Sequence, residues 1–197
     1  MSLFVKICGM TDEASAEAAV QAGAQAVGFV FAMSPRQVSI TRAREITEVI
    51  PPGVARVAVF RRPTPSQVIE VVREFQPDLV QADFETLAGL EGIEALPVYR
   101  DGSEDVPDGG RFLFEGPISG VGHQVDLTRA ATMARRGEMI LAGGLNEENV
   151  GRVVAEVMPF GVDVSSGVET TPGVKSPEMI RSFVAAVRTA EERLVTR

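Results

Sequence analysis

Val5-Lys6-Ile7-Cys8-Gly9-Met10-Thr11 opens the chain with a short apolar strand that ends in the protein's single cysteine and runs at once towards a helix. Side chains alternate across a strand, so Phe4, Lys6 and Cys8 share one face while Val5 and Ile7 share the other. If Val5 and Ile7 pack under helices, the Lys6 face lines the inside of a closed sheet and Cys8 stands at its rim. Gly9 permits the turn that follows. On this reading Cys8 is a catalytic base; the competing reading is inert core filling, the common fate of a free cysteine.

Outward from this strand, β-rich runs alternate with helical patterns, the signature of parallel βα units. Strands are expected over residues 26–31, 55–60, 79–81, 96–99, 111–114, 139–142 and 161–165. Thr11 is expected to cap the first helix, with Ala14, Ala18 and Ala22 as its small face and Gly23 as its stop. The second helix is placed at about 41–50, before Pro51-Pro52. Thr64-Pro65-Ser66-Gln67 reads as a capping box opening a helix striped by Val68, Val71, Val72 and Phe75.

A weak helix is expected over 85–90, and one after Asp126 through about Arg136. Val150, Val153, Val154 and Val157 make a helical stripe, as do Ile180, Phe183, Val184 and Val187 after Ser176-Pro177. Residues 101–110 are too rich in Gly, Asp and Pro for a helix, so a loop is expected where the fifth helix would stand. Eight strands in this order predict an α/β fold, a (β/α)8 barrel, as one domain over residues 1–197. That length is small for such a barrel, which typically takes about 250 residues.

Composition narrows the function. One cysteine excludes an internal disulfide framework, and with one histidine it makes a Cys/His zinc site an unlikely design, so no metal and no cofactor are expected. A net charge of −8 speaks against a nucleic-acid surface. No apolar run approaches the roughly 18 residues that span a bilayer, and residues 1–4 lack a secretory pattern, so a cytoplasmic protein with no membrane partner is expected. A small anionic ligand remains compatible, because backbone N–H groups hold phosphate whatever the net charge.

In such barrels the active site lies where strands end and βα loops begin. Gly143-Gly144 after strand 7 and Ser165-Ser166-Gly167 after strand 8 fall where many barrels hold phosphate. Arg36 in loop 2 offers a planar fork suited to a carboxylate or phosphate, or is a solvated charge. Asp163 shares the Ser165 face of strand 8 and joins Arg36 as a substrate-binding candidate. Asp126 reads equally as a helix N-cap and as a catalytic acid. His123, in a Gly-rich loop, is a gate or has no role.

Taken together, Lys6-Ile7-Cys8-Gly9-Met10-Thr11, Ser34-Pro35-Arg36, the Gly120 to Asp126 loop, Ala142-Gly143-Gly144-Leu145 and Val162 to Glu169 followed by Pro172-Gly173-Val174-Lys175 resemble the phosphoribosylanthranilate isomerases of tryptophan biosynthesis. The resemblance spans the chain. It implies an Amadori rearrangement of N-(5-phosphoribosyl)anthranilate to the 1-amino-1-deoxyribulose phosphate, with Cys8 as general base and Asp126 as general acid. It implies Arg36 on the anthranilate carboxylate, Gly143, Gly144, Ser166 and Gly167 on the phosphate, and a monomer or homodimer. Two departures stand out. Gln81-Ala82-Asp83-Phe84 replaces the family's usual Gln-Leu-His-Gly, and Val125 and Leu127 replace aromatic neighbours of the aspartate.

A free Cys titrates near ~8.5 and a free Asp near ~3.9, so the implied roles require the site to favour thiolate and disfavour carboxylate. Lys6, on the Cys8 face, together with the charge of the bound ligand is expected to help with the first, and burial of Asp126 once the loop closes over substrate with the second. A related barrel of histidine biosynthesis performs the same rearrangement but resembles a version with aspartate in place of Cys8. Indole-glycerol-phosphate synthase would need lysines at strand ends, and Lys6 and Lys175 are the only lysines. A non-catalytic phosphosugar-binding barrel is the alternative of a different class.

Overall fold

The computed structural model describes residues 2–87, 90–103, 106, 108–116 and 125–195. Strands β1 (Phe4–Cys8), β2 (Ala26–Val30), β3 (Ala55–Val59), β4 (Leu79–Asp83), β5 (Ala95–Arg100), β6 (Arg111–Glu115), β7 (Glu138–Leu141) and β8 (Gly161–Val164) close into one barrel in chain order. The seam is parallel, with Lys6 opposite Asp163 on β8 and Ala26 on β2. Helices α1 (Glu13–Ala22), α2 (Ile40–Thr47), α3 (Pro65–Phe75), α4 (Phe84–Leu87), α5 (Leu127–Ala134), α6 (Val150–Val157) and α7 (Pro177–Val195) connect the strands. A hairpin of β9 (Glu169–Thr171) and β10 (Val174–Lys175) projects from the loop after β8. Among the described residues no helix is long and apolar enough to cross a membrane.

Alternation along the strands sorts the side chains into two cores. Val5, Ile7, Val80, Ala82, Val162 and Val164 join the layer packed under the helices. Leu96, Val98, Leu113, Ile140 and Ala142 fill the barrel itself, with Phe4 and Phe160 packed against them. Near the strands' C-terminal ends the interior turns polar: Lys6, Gln81, Asp83 and Asp163 are all buried there. The valine stripe of α6 and the Ile180, Phe183, Val184 and Val187 stripe of α7 are buried as their spacing predicts.

Several boundaries differ from expectation, each for a local reason. Asp12, not Thr11, caps α1. Its carboxylate takes bonds from both Ser15 N (2.8 Å) and Ser15 Oγ (2.9 Å), whereas the Thr11 hydroxyl donates to Gly173 O and ties loop 1 to loop 8. The buried face of α1 is accordingly Ser15, Ala16, Ala18 and Ala19, and Ala14 is exposed. The last turn before Pro51 tightens, with Ile50 N bonding to Thr47 O, so α2 stops at Thr47. After β4 the helix is one turn, with Phe84 stacked on Tyr99 at 4.9 Å. No helix occurs among the described residues between β5 and β6. Both strands run one residue further than expected, to Arg100 and Glu115, which are register partners.

Candidate active site

At the C-terminal mouth of the barrel a cavity of about 280 Å³ is lined by Cys8, Arg36, Gln81, Asp83, Arg100 and Asp163 among others. Its apolar wall comes from the end of β2, from loop 2 and from the residue after β3, including Val30, Met33, Pro35 and Phe60. A smaller recess adjoins it, sharing Glu115, Asp163 and Ser165 and lined further by Gly143, Gly144 and Ser166. Thus Cys8, Arg36, Asp163 and the glycines of loop 7 meet at one end of the barrel although they lie up to 155 positions apart.

The Lys6 face of β1 does point inward. Lys6 is wholly buried beneath Cys8, and its Nζ donates to Asp163 Oδ1 at 2.8 Å. Burial pulls this ammonium down, but Asp163 and then Cys8 more than reverse that, so Lys6 is held firmly protonated. Cys8 is itself only 7% exposed. Burial pushes its thiol up and outweighs the opposing pull of Lys6; Asp163 pushes it further up and Lys175 pulls it down. The protein's own groups, with no ligand charge among them, therefore leave Cys8 in the thiol form. Lys6 acts in the anticipated direction, but its charge is already matched by Asp163 and cannot offset the loss of water around the sulfur.

Arg36 is not a solvated charge. Its Nε and Nη2 donate to the two carboxylate oxygens of Glu169 at 2.7 and 2.9 Å, a planar fork-to-fork pair. Donating these hydrogen bonds to Glu169 raises the guanidinium's pKa. Glu169 is shared with the buried Lys175, whose Nζ also reaches Ser165 O, so loop 2, the hairpin and the end of β8 are locked together. Gly9 makes room for this: at φ 82° it turns the chain, and a Cβ there would lie 2.7 Å from Arg36 Cδ.

Loops 7 and 8 are joined by close backbone approach. Asn149 Nδ2 donates to Gly144 O at 2.7 Å and fixes the turn after β7. Gly167, in the short 3-10 turn Ser166–Val168, packs so tightly that a Cβ would stand 1.9 Å from Leu145 O. Because that neighbour is backbone, Gly167→Ala is expected to lose about 1–3 kcal/mol of stability, the usual cost of overpacking. Chemical denaturation of the variant against the parent checks this; an unchanged midpoint would show that the loops part freely.

Asp126 is the N-cap of α5. Its Oδ1 accepts from Thr128 N (2.8 Å) and Arg129 N (3.1 Å), and its own amide donates to Asp101 Oδ2 at 3.3 Å. The residue is exposed, so the expected burial is not a feature of this state. His123 and residues 120–124 of its loop lie outside the described residues. Sequence reasoning missed Gln81, Arg100, Glu115 and Glu169 as site residues. The first three are polar side chains on inward-facing positions near strand ends, a signal the alternation carried once the strand limits were known.

A closed parallel barrel whose mouth holds a buried thiol, a paired arginine and a glycine-lined recess defines a barrel enzyme acting on a small anionic molecule. Comparison with known proteins makes this specific. The family model for N-(5'-phosphoribosyl)anthranilate (PRA) isomerase matches residues 5–186. A Streptococcus pneumoniae N-(5'-phosphoribosyl)anthranilate isomerase is 40% identical over 192 residues, 93% of this chain and 95% of the relative. The crystal structure of the Thermotoga maritima phosphoribosyl anthranilate isomerase superposes with a TM-score of 0.85 at 32% identity, covering 95% of this chain and 99% of that one. A phosphoribosyl anthranilate isomerase solved with reduced 1-(o-carboxyphenylamino)-1-deoxyribulose 5-phosphate gives 0.79 at 31%, with 95% and 99% covered. The chain belongs to the PRA isomerase family.

Proposed function

We propose that the cavity at the barrel mouth isomerises N-(5'-phosphoribosyl)anthranilate with Cys8 as general base and Asp126 as general acid. The observation that carries this reading is the placement of Cys8, at the end of β1, on the wall of the cavity that also receives Arg36 and Asp163. The reaction needs two proton movements. Protonation of the furanose ring oxygen opens the sugar to an iminium, and removal of the C2 proton then gives an enolamine that tautomerises to the ketone. Gly143, Gly144, Ser166 and Gly167 would bind the phosphate through backbone N–H groups, Arg36 the anthranilate carboxylate, and Asp163 the substrate beside Lys6.

The raised thiol is reconciled with a basic role by the intermediate. Ring opening creates a cation on the substrate, and an opposite charge within about 4–6 Å favours the charged form of an acid. Thiolate is thus called for at the stage where the iminium is present. Asp126 must deliver a proton while serving as a cap, and these duties are separable. Asn caps helices as well as Asp does but carries no acidic proton. Asp126→Asn is therefore expected to lower kcat by about 100-fold or more with an unchanged melting temperature. Turnover of N-(5'-phosphoribosyl)anthranilate by the purified variant tests it; activity within tenfold of the parent would leave Asp126 a cap alone.

A further inference from the structure

The hairpin β9–β10 is used by none of the acid, base or phosphate roles, yet it is tied to the mouth of the barrel at several points. Its register pairs Glu169 with Lys175. Glu169 takes the Arg36 fork, accepting from Nε at 2.7 Å and from Nη2 at 2.9 Å, while Lys175 Nζ bonds the same carboxylate and donates to Ser165 O at 3.1 Å. At the hairpin's tip Gly173, at φ 88°, packs so closely on loop 2 that a Cβ would lie 2.3 Å from Pro35 O, and its carbonyl accepts from the Thr11 hydroxyl at 3.0 Å. The Glu169 and Lys175 side chains are 3% and 0% exposed, and neither lines the cavity that Arg36 lines. A buried ion pair behind a wall rather than in it adds little stability by itself, so its placement calls for another account.

Resting on the reading of Arg36 as the holder of the anthranilate carboxylate, we infer that Glu169 is a positioning residue: with Lys175 behind it, it fixes the Arg36 guanidinium so that the Nη1–Nη2 end meets the carboxylate of the substrate. The first observation that selects this is the edge in use. A guanidinium carries five N–H donors in a planar fork, and a carboxylate can engage either the Nε–Nη2 side or the Nη1–Nη2 end. Among the described residues the hydrogen bonds of the Arg36 side chain all go to Glu169, through Nε and Nη2, so the side is spent and the end remains. The stem is held as well, because it lies against Gly9 at a distance no Cβ would allow. The second observation is charge. Arg36 and Glu169 alone would be a neutral pair with little pull on an anion, and Lys175 leaves the trio with two cations against one carboxylate. Burial pushes the Glu169 carboxyl up, but the bonds from Arg36 and Lys175 more than reverse that, so it stays ionised. Burial pulls Lys175 down and Glu169 opposes it, while Glu169 Oε1, Ser165 O and Ser165 Oγ match the three protons of an ammonium.

Holding the fork in advance matters because a long arginine side chain otherwise gives up its rotamer freedom when it grips a ligand, and prior fixation removes that cost from binding. It also sets the plane and direction of the bond, so a carboxylate ortho to the ring nitrogen is met and a ring without one gains nothing. Charge and orientation forecast opposite outcomes. Neutralising Glu169 leaves two cations and no anion, which on charge alone would tighten an anionic ligand, whereas a released fork would loosen it.

The test compares two probes on the full chain by calorimetry: reduced 1-(o-carboxyphenylamino)-1-deoxyribulose 5-phosphate, and the same molecule without the ring carboxylate. Glu169→Gln is expected to weaken the first roughly tenfold or more and the second less than about twofold, although it raises the local positive charge. Arg36→Met should show the same selectivity, and adding Glu169→Gln to it should cost less than about a further twofold, because Glu169 acts through Arg36. A structural role would add its own loss and weaken both probes. If Glu169→Gln does not fold, Glu169→Asp, one methylene too short to hold both nitrogens, should weaken the carboxylated probe roughly threefold or more with the same selectivity. Carboxylated-probe affinity within twofold of the parent or tighter, an equal loss for both probes, or a full loss on top of Arg36→Met overturns the inference. An Arg36→Met chain that binds the carboxylated probe like the parent overturns instead the reading of Arg36, and the inference falls with it.

Discussion

Cys8→Ala is expected to lower kcat for N-(5'-phosphoribosyl)anthranilate by about 10²–10⁴-fold, the range over which a positioned base contributes, while the protein stays folded. Removing the thiol deletes one buried sulfur at the barrel rim, where the cavity already adjoins, so the fold has little to lose. The chemistry loses the group that takes the C2 proton. The sign of the pH effect follows from burial. A thiol pushed above its ordinary value near ~8.5 is mostly protonated at neutrality, and the base works only when deprotonated. The rate at which iodoacetamide alkylates Cys8 in the parent, which follows the thiolate alone, should therefore climb with pH and level off only above that ordinary value. Alkylation that does not change between pH 6 and 9 would mean that the thiol is not raised, and Cys8→Ala activity within tenfold of the parent would remove Cys8 from the mechanism.

Lys6→Met should be the most destabilising single change near the site. Lys6 is fully enclosed and Asp163 nearly so, and truncating one member of such a pair leaves the other charge largely buried without its partner. The expected loss is about 3–5 kcal/mol, or roughly 6–20 °C in melting temperature for a chain of this size. Because replacing both partners removes the stranded charge, Lys6→Met/Asp163→Leu should regain a large part of that loss, which a double-mutant cycle by denaturation measures. The same substitution withdraws the nearest cation from the sulfur. The rising limb of the Cys8 alkylation profile should consequently move to still higher pH. Loss of less than 1 kcal/mol in Lys6→Met would mean that Asp163 finds another partner or takes up a proton at little cost.

Why the buried pair exists is best seen from the strand it sits on. A parallel barrel has no solvated face, so an inward lysine must be matched from another strand, and the β1–β8 register sets Asp163 beside it. That closing seam supports Cys8 from below. On the far side, Glu169 links Arg36 to Lys175 and so connects loop 2 to the end of β8. Ion pairs thus hold the cavity's rim at the β1–β8 seam, at loop 2 and, through Arg100 with Asp83 and Glu115, on the β4–β6 side.

Local chemistry was legible in the residues themselves: the alternation that put Lys6 and Cys8 on one face, the capping box at Thr64, the valine stripe of α6, and, among the described residues, the absence of a helix between β5 and β6. Thr11 and Asp12 are adjacent and both able to cap, Asp the more strongly, and the structure uses Asp12. What decided between them was Gly173, a residue 162 positions away that takes the Thr11 hydroxyl's bond. Arg100 and Glu115 were passed over for a related reason. Strand ends depend on cross-strand pairing, and each is the other's partner.

The sequence by itself determined the order of eight strands, the faces of the helices and the identity of the thiol at the first strand's end, because period, capping and turn preference act between near neighbours. Only the tertiary structure decided the thiol's protonation, the pairing of Arg36 with Glu169 and the place of Gln81 and Arg100 on the cavity wall. Those depend on which charges lie within a few ångströms once distant strands close into a ring and water is excluded, and no local pattern in the chain encodes that distance.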